Sequence, residues 1–318
     1  MQNVIQRLKG ILILLLVLTP LICITFFGKL PGRSIGFSFY FALSIYTVYE
    51  TILKHHKQSI YSIIMYGLGV LSIWLLPLNT LFNEWNIFNT DTPYSAELSD
   101  ILKVYIFNID NTKYSMFWSF LHFTIPVLLI SAGVLINLIL NKPHNKTTLN
   151  LLIIASIFII PMFFKIMFIL NIVSLYAMLF LELIVIFVDT CGYFGGKFFG
   201  KKIIKKNLAP KISPKKTWEG AFFSVTLSIV AIFIFGYAMY FWTKETSTLI
   251  FDNIIQCVLA AFVLPPLAIC GDLWFSALKR NFKIKDFSNL INGHGGIMDR
   301  FDSAASISIW LILIIAFI

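Results

Sequence analysis

Residues 148–189 read TLNLLIIASIFIIPMFFKIMFILNIVSLYAMLFLELIVIFVD, and this stretch decides the fold class. Before Asp189 closes it, Lys165 and Glu182 are its only charged side chains. Apolar residues fall on every side of any helix drawn through it, and such a helix belongs in a large core or a bilayer. Crossing a hydrocarbon layer about 30 Å thick takes roughly 20 residues. The stretch therefore reads as two spans, near 148–164 and 166–189, with Pro161 and Lys165 marking where the first gives way to the second.

The rest of the 318-residue chain agrees. It is 58% hydrophobic, 16% aromatic and 13% charged, with 32 phenylalanines and a mean hydropathy of +0.84. Soluble domains run about 45–50% apolar and about 25% charged, so no soluble core could hide this much Phe, Leu and Ile. Further apolar runs lie near 9–28, 34–53, 59–81, 116–140, 219–243, 253–275 and 303–318. Together they predict an all-α, polytopic integral membrane protein of about nine transmembrane helices. Arg7 and Lys9 precede the first run as in a signal peptide, but no small-residue cleavage site follows, and the run reads as a retained span. Cys23, Cys191, Cys257 and Cys270 are scattered without a CxxC pair or a His at metal-ligand spacing, which argues against a disulfide framework or zinc site and for small buried hydrophobes.

Charge is lopsided, with 25 Lys and Arg against 15 Asp and Glu. The connection 82–115 holds Glu84, Asp91, Glu97, Asp100 and Asp110 against Lys103 and Lys113, whereas 190–218 holds eight lysines and no acid. By the positive-inside bias the second faces the cytoplasm and the first lies outside, with the N-terminus in and the C-terminus out. Lys54, Lys57, Lys142 and Lys146 agree, and Lys29 and Arg33 do not. The division expected is 1–185 for N-terminal transmembrane helices and 186–318 for a C-terminal catalytic region, with cytoplasmic loops 190–218 and 276–302. Both loops emerge on one face, where chemistry can be assembled.

Carboxylates where a hydrophobic run meets a loop are expensive to desolvate and usually have partners. Asp189 and Asp272 stand at such places, though each could simply mark a helix end; Glu182, within a span, carries no assignment. From Asp272 to Asp302 there are four aspartates, five Lys or Arg, and a Gly293-His294-Gly295-Gly296 turn. Interleaved acids and bases suit a metal–phosphate site, because carboxylate oxygens hold magnesium while ammonium and guanidinium groups hold phosphate oxygens. Gly295 and Gly296 would let backbone amides approach a phosphate. Asp299 and Asp302 would share a face if they open the last helix. A solvated amphipathic loop is the competing reading.

The other loop carries Gly192, Gly195, Gly196 and Gly200 among lysines, then Ser213-Pro214-Lys215-Lys216-Thr217. Glycine-rich and basic, it could cradle a triphosphate, although it is neither a P-loop nor a dinucleotide fingerprint. Lys201, Lys202, Lys205 and Lys206 read equally well as anchors for anionic headgroups. The Ser213–Thr217 run is more particular: two hydroxyls and two ammoniums stand just before a helix N-terminus, where anions are favoured.

At these residues the chain closely resembles the phosphatidate cytidylyltransferases (CDP-diacylglycerol synthases). Their signature runs Ser-x-apolar-Lys-Arg, four residues, Lys-Asp, then His-Gly-Gly-apolar-x-Asp-Arg-apolar-Asp. Ser276, Lys279, Arg280, Lys285, Asp286, Ser288, His294, Gly295, Gly296, Asp299, Arg300 and Asp302 fit it. Asn292 stands where the family usually has proline or glycine. Ser213–Gly220 looks like a second family motif, and the likeness covers roughly the last 130 residues.

The resemblance implies transfer of CMP from CTP to phosphatidate, with release of pyrophosphate and a need for Mg2+. It makes Asp272 and Asp299 the first metal ligands and Asp302 the third, around two divalent ions about 4 Å apart. Lys279, Arg280 and Arg300 are assigned to substrate phosphates, and His294 to orienting a ligand or to a structural hydrogen bond in its turn. Ser213, Lys215, Lys216 and Thr217, with Lys285, Asp286, Gly295 and Gly296, are assigned to substrate binding. CTP, phosphatidate and membrane lipids are the partners expected, with no nucleic acid; a homodimer is compatible with the residues without being fixed by them. The place expected is a bacterial inner membrane with the site toward the cytoplasm. A CTP-dependent polyprenol or phytol kinase would share the fold class and basic loops. A transporter would also place charges near spans, but at midplane and often within internal repeats.

Overall fold

The computed structural model describes residues 16–76, 98–107, 115–141, 147–243, 249–290 and 295–318. In chain order these form α1 (Leu16–Phe27) and α2 (Lys29–Val48), which runs into a π-helical turn at Tyr49–Leu53. Then come α3 (Ile60–Leu75), α4 (Leu98–Phe107), α5 (Ser115–Asn141), α6 (Thr147–Val173) and α7 (Leu175–Phe199). A hairpin of β1 (Asn207–Ala209) and β2 (Ser213–Thr217) leads into α8 (Trp218–Thr243), α9 (Ile254–Asn281) and α10 (Met298–Phe317).

Among the described residues, six helices are long and apolar enough to cross a membrane: Ser119–Asn141, Thr147–Val173, Leu175–Phe199, Trp218–Tyr237, Ile254–Asn281 and Met298–Phe317. The chain is therefore a helical, multi-pass membrane protein. The first three expected spans do not meet the same measure among the described residues. Leu16–Phe27 and Ile60–Leu75 are shorter apolar helices, and α2 opens on Lys29 and Arg33 and carries serines, tyrosines and a threonine that lower its hydropathy.

Three expectations about boundaries change. Pro161 and Lys165 do not divide the quoted stretch, because α6 continues through both to Val173. The break falls at Ser174, whose side chain accepts from the Ala177 amide (3.2 Å) and so caps α7. Residues 190–199 belong to α7 and not to a loop. The remainder of the basic connection is not wholly irregular either, since it contains the antiparallel hairpin, with Asn207 opposite Thr217 and Ala209 opposite Ser213.

The chain forms two compact units interleaved along the sequence, Met1–Tyr94 with Lys103–Ile172 and Asn281–Phe301, and Ser95–Leu102 with Val173–Arg280 and Asp302–Ile318. In the first, α3 packs on α5. Their backbones approach closely because Gly69 has no side chain: a Cβ there would stand 2.7 Å from Ile130. Phe37, Phe41 and Phe168 surround Trp74 with ring centroids 5.2, 5.6 and 6.2 Å away, and the indole N–H donates to Ser44 Oγ (3.0 Å).

Lys165 is buried, at 5% exposure. Its ammonium donates to the carbonyls of Ile73 (2.8 Å) and Leu76 (2.5 Å), which satisfies orphan acceptors at the C-terminal end of α3. This explains a charge in the middle of an apolar helix: a cation inside the membrane layer needs a polar partner.

In the second unit α7 packs on α8. The contact is closest at glycines, since a Cβ on Gly195 would lie 2.6 Å from Phe223 and one on Gly220 would lie 2.8 Å from the Gly192 carbonyl. The Tyr176 hydroxyl donates to the Phe235 carbonyl across the same pair. Gln256 Nε2 on α9 donates to Ile315 O on α10 (3.2 Å).

Candidate active site

The second unit holds a cavity of about 440 Å³ between α7, β2, α8 and α9. Its charged lining is Asp189 and Lys197 from α7, Lys215 and Lys216 from β2, and Asp272 from α9, with the Thr217 and Ser224 hydroxyls beside them. Each position has a local cause. Gly192, Gly196 and Gly220 line the cavity where α7 meets α8, and their lack of side chains leaves the space. Of the glycines that read as a phosphate loop, Gly192, Gly195 and Gly196 are thus helical, and their direct work is close packing. Along β2 burial increases toward α8, with Lys215 exposed, Lys216 half-buried and Thr217 buried. Thr217 Oγ1 accepts from the Gly220 amide (3.2 Å), capping the N-terminus of α8.

Asp272 pairs with Lys216 and accepts from Ser276 Oγ (3.2 Å) one turn along α9. Residues 56 apart in sequence are thereby joined, linking the Ser213–Thr217 run to the signature. Lys279 is buried and lies 3.7 Å from Asp302, which is also buried and accepts from the Ser303 amide (2.8 Å). Asp302 stands within electrostatic range of Asp272 and Asp189. Arg280 Nε donates to Ile212 O (3.2 Å), tying the end of α9 to the hairpin turn. Ser213 is half-buried opposite Ala209 and is absent from the cavity wall.

Two charged residues in the wall, Asp189 and Lys197, have no role assigned by sequence. Asp189 drew notice only as an acid ending an apolar run, and Lys197 was one lysine among eight. Glu219, in the first turn of α8, accepts from the amides of Ile203 (3.0 Å) and Ile204 (2.7 Å) and shapes the connection before the hairpin. Lys201, Lys202, Lys205 and Lys206 are exposed and outside the cavity. Glu182 lies in α7 with its Oε1 buried and unpaired among the described residues.

Gly295, Gly296 and Asp299 of the signature belong to the first unit. Asp299, in the first turn of α10, accepts through Oδ2 from the amides of Phe287 (2.8 Å) and Gly296 (2.9 Å). Gly295 has a φ of +85°, a conformation that favours glycine. The Gly296 amide, expected to face a phosphate, is thus engaged by Asp299. Lys285, Asp286 and Arg300 are exposed. His294 and Asn292 lie outside the described residues.

Among the described residues, no three His, Cys, Asp or Glu side chains are grouped so as to hold a metal by themselves. Mg2+ is usually held by one or two carboxylates together with substrate phosphates. Asp272 and Asp302 supply such hard oxygens, with Lys216 and Lys279 as counter-charges. The donor set fits a magnesium–nucleotide pair.

Residues 80–318 match the model of the cytidylyltransferase family. Among curated proteins, the chain is 37% identical over 131 residues to a phosphatidate cytidylyltransferase of Haemophilus influenzae, covering 41% of this chain and 42% of that protein. It is 43% identical over 123 residues to one of Rickettsia felis, covering 36% and 48%, and 36% identical over 122 residues to one of Bacillus subtilis, covering 38% and 42%. The chain thus spans less than half the length of these curated relatives. With the family model matching most of its residues, the chain belongs to the cytidylyltransferase family.

Proposed function

We propose that this protein transfers CMP from CTP to phosphatidate, forming CDP-diacylglycerol and releasing pyrophosphate, as a nucleotidyltransferase of phospholipid biosynthesis. The observation that carries the reading is the cavity in which Lys215, Lys216 and Thr217 of one motif meet Asp272 of the signature. The names of the matched relatives support the same substrates.

An anionic phosphate oxygen of phosphatidate attacks the α-phosphorus of CTP; the bond to the β-phosphate oxygen breaks, and pyrophosphate carries the electrons away. A phosphate monoester has a second pKa near 6, so the nucleophile is largely ionised and needs no general base. The residues chiefly position two polyanions and screen their repulsion. Lys197, Lys215 and Lys216 offer ammonium groups to the triphosphate, while Lys279, Arg280 and Arg300 serve phosphates of either substrate. Asp272 and Asp302 would hold Mg2+, and Asp299, whose Oδ2 accepts from the Phe287 and Gly296 amides, is proposed as a ligand on the resemblance alone. When bound, magnesium would polarise the reacting phosphate and neutralise charge developing on the leaving group.

The three N-terminal helices complete nine spans in this reading. The N-terminus is cytoplasmic, the C-terminus outside, and the basic face opens to the cytoplasm of a bacterial inner membrane; the charge asymmetry of the connections supports it. Surrounding lipids, and a second copy of the chain as a homodimer, are the remaining proposed partners. The experiment is a transfer assay in detergent with phosphatidate and CTP labelled at either the α or the γ phosphate. Lipid-soluble label from α-labelled CTP alone is expected. Label from the γ position would replace this reading with a lipid kinase, and no label from either would refute it.

A further inference from the structure

Glu50 belongs to no motif and precedes residue 80, where the family match begins. It sits in the π-helical turn that ends α2, a rare local geometry found often at functional sites. At 1% exposure, its carboxylate needs donors to offset lost hydration. It finds them in the signature loop of the same unit. Oε1 accepts from Ser288 Oγ (2.5 Å) and the Ile297 amide (3.3 Å), and Oε2 accepts from the Met298 amide (3.2 Å). Gly296 leaves room for it, since a Cβ there would lie 2.5 Å from Oε1.

Asp299 takes the Gly296 amide, so two carboxylates from distant parts of the sequence share three consecutive N–H groups where α10 begins. One turn further on, His55 Nε2 lies 2.7 Å from the Phe287 carbonyl. Phe287 is fully buried, and its amide donates to Asp299. Phe287 and Ser288 on one side, and Ile297 and Met298 where α10 begins on the other, are thus held by the residues that follow α2.

We propose that Glu50 is a positioning residue for this enzyme: it fixes the signature loop so that Asp299 and Arg300 are presented in their working arrangement. The inference rests on the reading that this loop takes part in CMP transfer. Glu50 touches neither the cavity nor, in this role, substrate; it acts through Ser288, Ile297 and Met298. Its charge is needed because glutamate offers two acceptor oxygens to a hydroxyl and two amides. In Glu50→Gln, whichever way the amide lies, its NH2 group faces the N–H of either Ile297 or Met298.

Hydrogen–deuterium exchange of the full-length protein in detergent, alongside CMP-transfer kinetics, tests this. Glu50→Gln should speed exchange at amides 296–298 and lower kcat by about ten- to a hundredfold, as loss of supporting contacts does elsewhere, while the KM for CTP stays near wild type. Ser288→Ala removes one donor and should shift both readouts the same way by less. It also keeps the test decisive if Glu50→Gln fails to fold. Unchanged exchange in the folded variants would overturn the proposal. Faster exchange with unchanged kcat would overturn it too, leaving Glu50 only a structural brace. If wild-type protein transfers no CMP, the functional reading falls, while the exchange experiment still decides whether Glu50 holds the loop.

Discussion

Replacing Asp272 with asparagine removes the negative charge facing Lys216 in the cavity and leaves the side chain's size unchanged. The two side chains are 24% and 26% exposed. A pair that wet contributes about 1 kcal/mol or less to stability, a change of a few degrees in melting temperature. The catalytic loss should be much larger. If Asp272 holds the magnesium that would neutralise charge developing on the leaving pyrophosphate, its removal should lower kcat about 10²- to 10³-fold, or about 3–4 kcal/mol of barrier. The assay follows α-labelled CTP into lipid, with thermal unfolding in the same detergent as the control. A Lys216→Met variant and the double variant complete a cycle. Groups that act as a unit lose activity non-additively, so the double variant should be little worse than Asp272→Asn alone. Near-normal turnover of Asp272→Asn, or strictly additive losses, would refute the placement of this pair at the reacting phosphates.

Lys205→Ala should leave turnover within about twofold of wild type, because Lys205 is exposed and off the cavity wall and isolated surface charges contribute little; transfer kinetics check this. Gly220→Ala forces a Cβ against the Gly192 carbonyl at 2.8 Å, so α7 and α8 must separate. A loss of about 1–3 kcal/mol is expected for such overpacking, read as a lower melting temperature. Lys165→Met leaves the Ile73 and Leu76 carbonyls without their donor and should destabilise by about 1–3 kcal/mol per buried acceptor; thermal unfolding again reports it.

Composition and hydropathy alone determine that this chain is helical and membrane-embedded, because helices and closed barrels satisfy a backbone in hydrocarbon, and unbroken apolar runs of about 20 residues fit the helix and not the alternating strands of a barrel. The signature from Ser276 to Asp302 was equally legible, since its acids, bases and glycines lie within one short stretch. Helix ends were less so: Pro161 and Lys165 look like a break, yet α6 runs through them because the α3 carbonyls receive the ammonium. Asp189 and Lys197 were visible only as an acid at a span exit and one lysine among several, and their place beside Asp272 depends on how α7, α8 and α9 pack.

Glu50 shows the limit most clearly. Local sequence carries the period of a helix and the chemistry of a motif, because both are set by neighbours along the chain. A buried carboxylate that grips amides 247 and 248 residues away follows no such rule. Its partners are chosen by which backbone donors the folded unit leaves unpaired beside it, and that is settled only when the helices have packed.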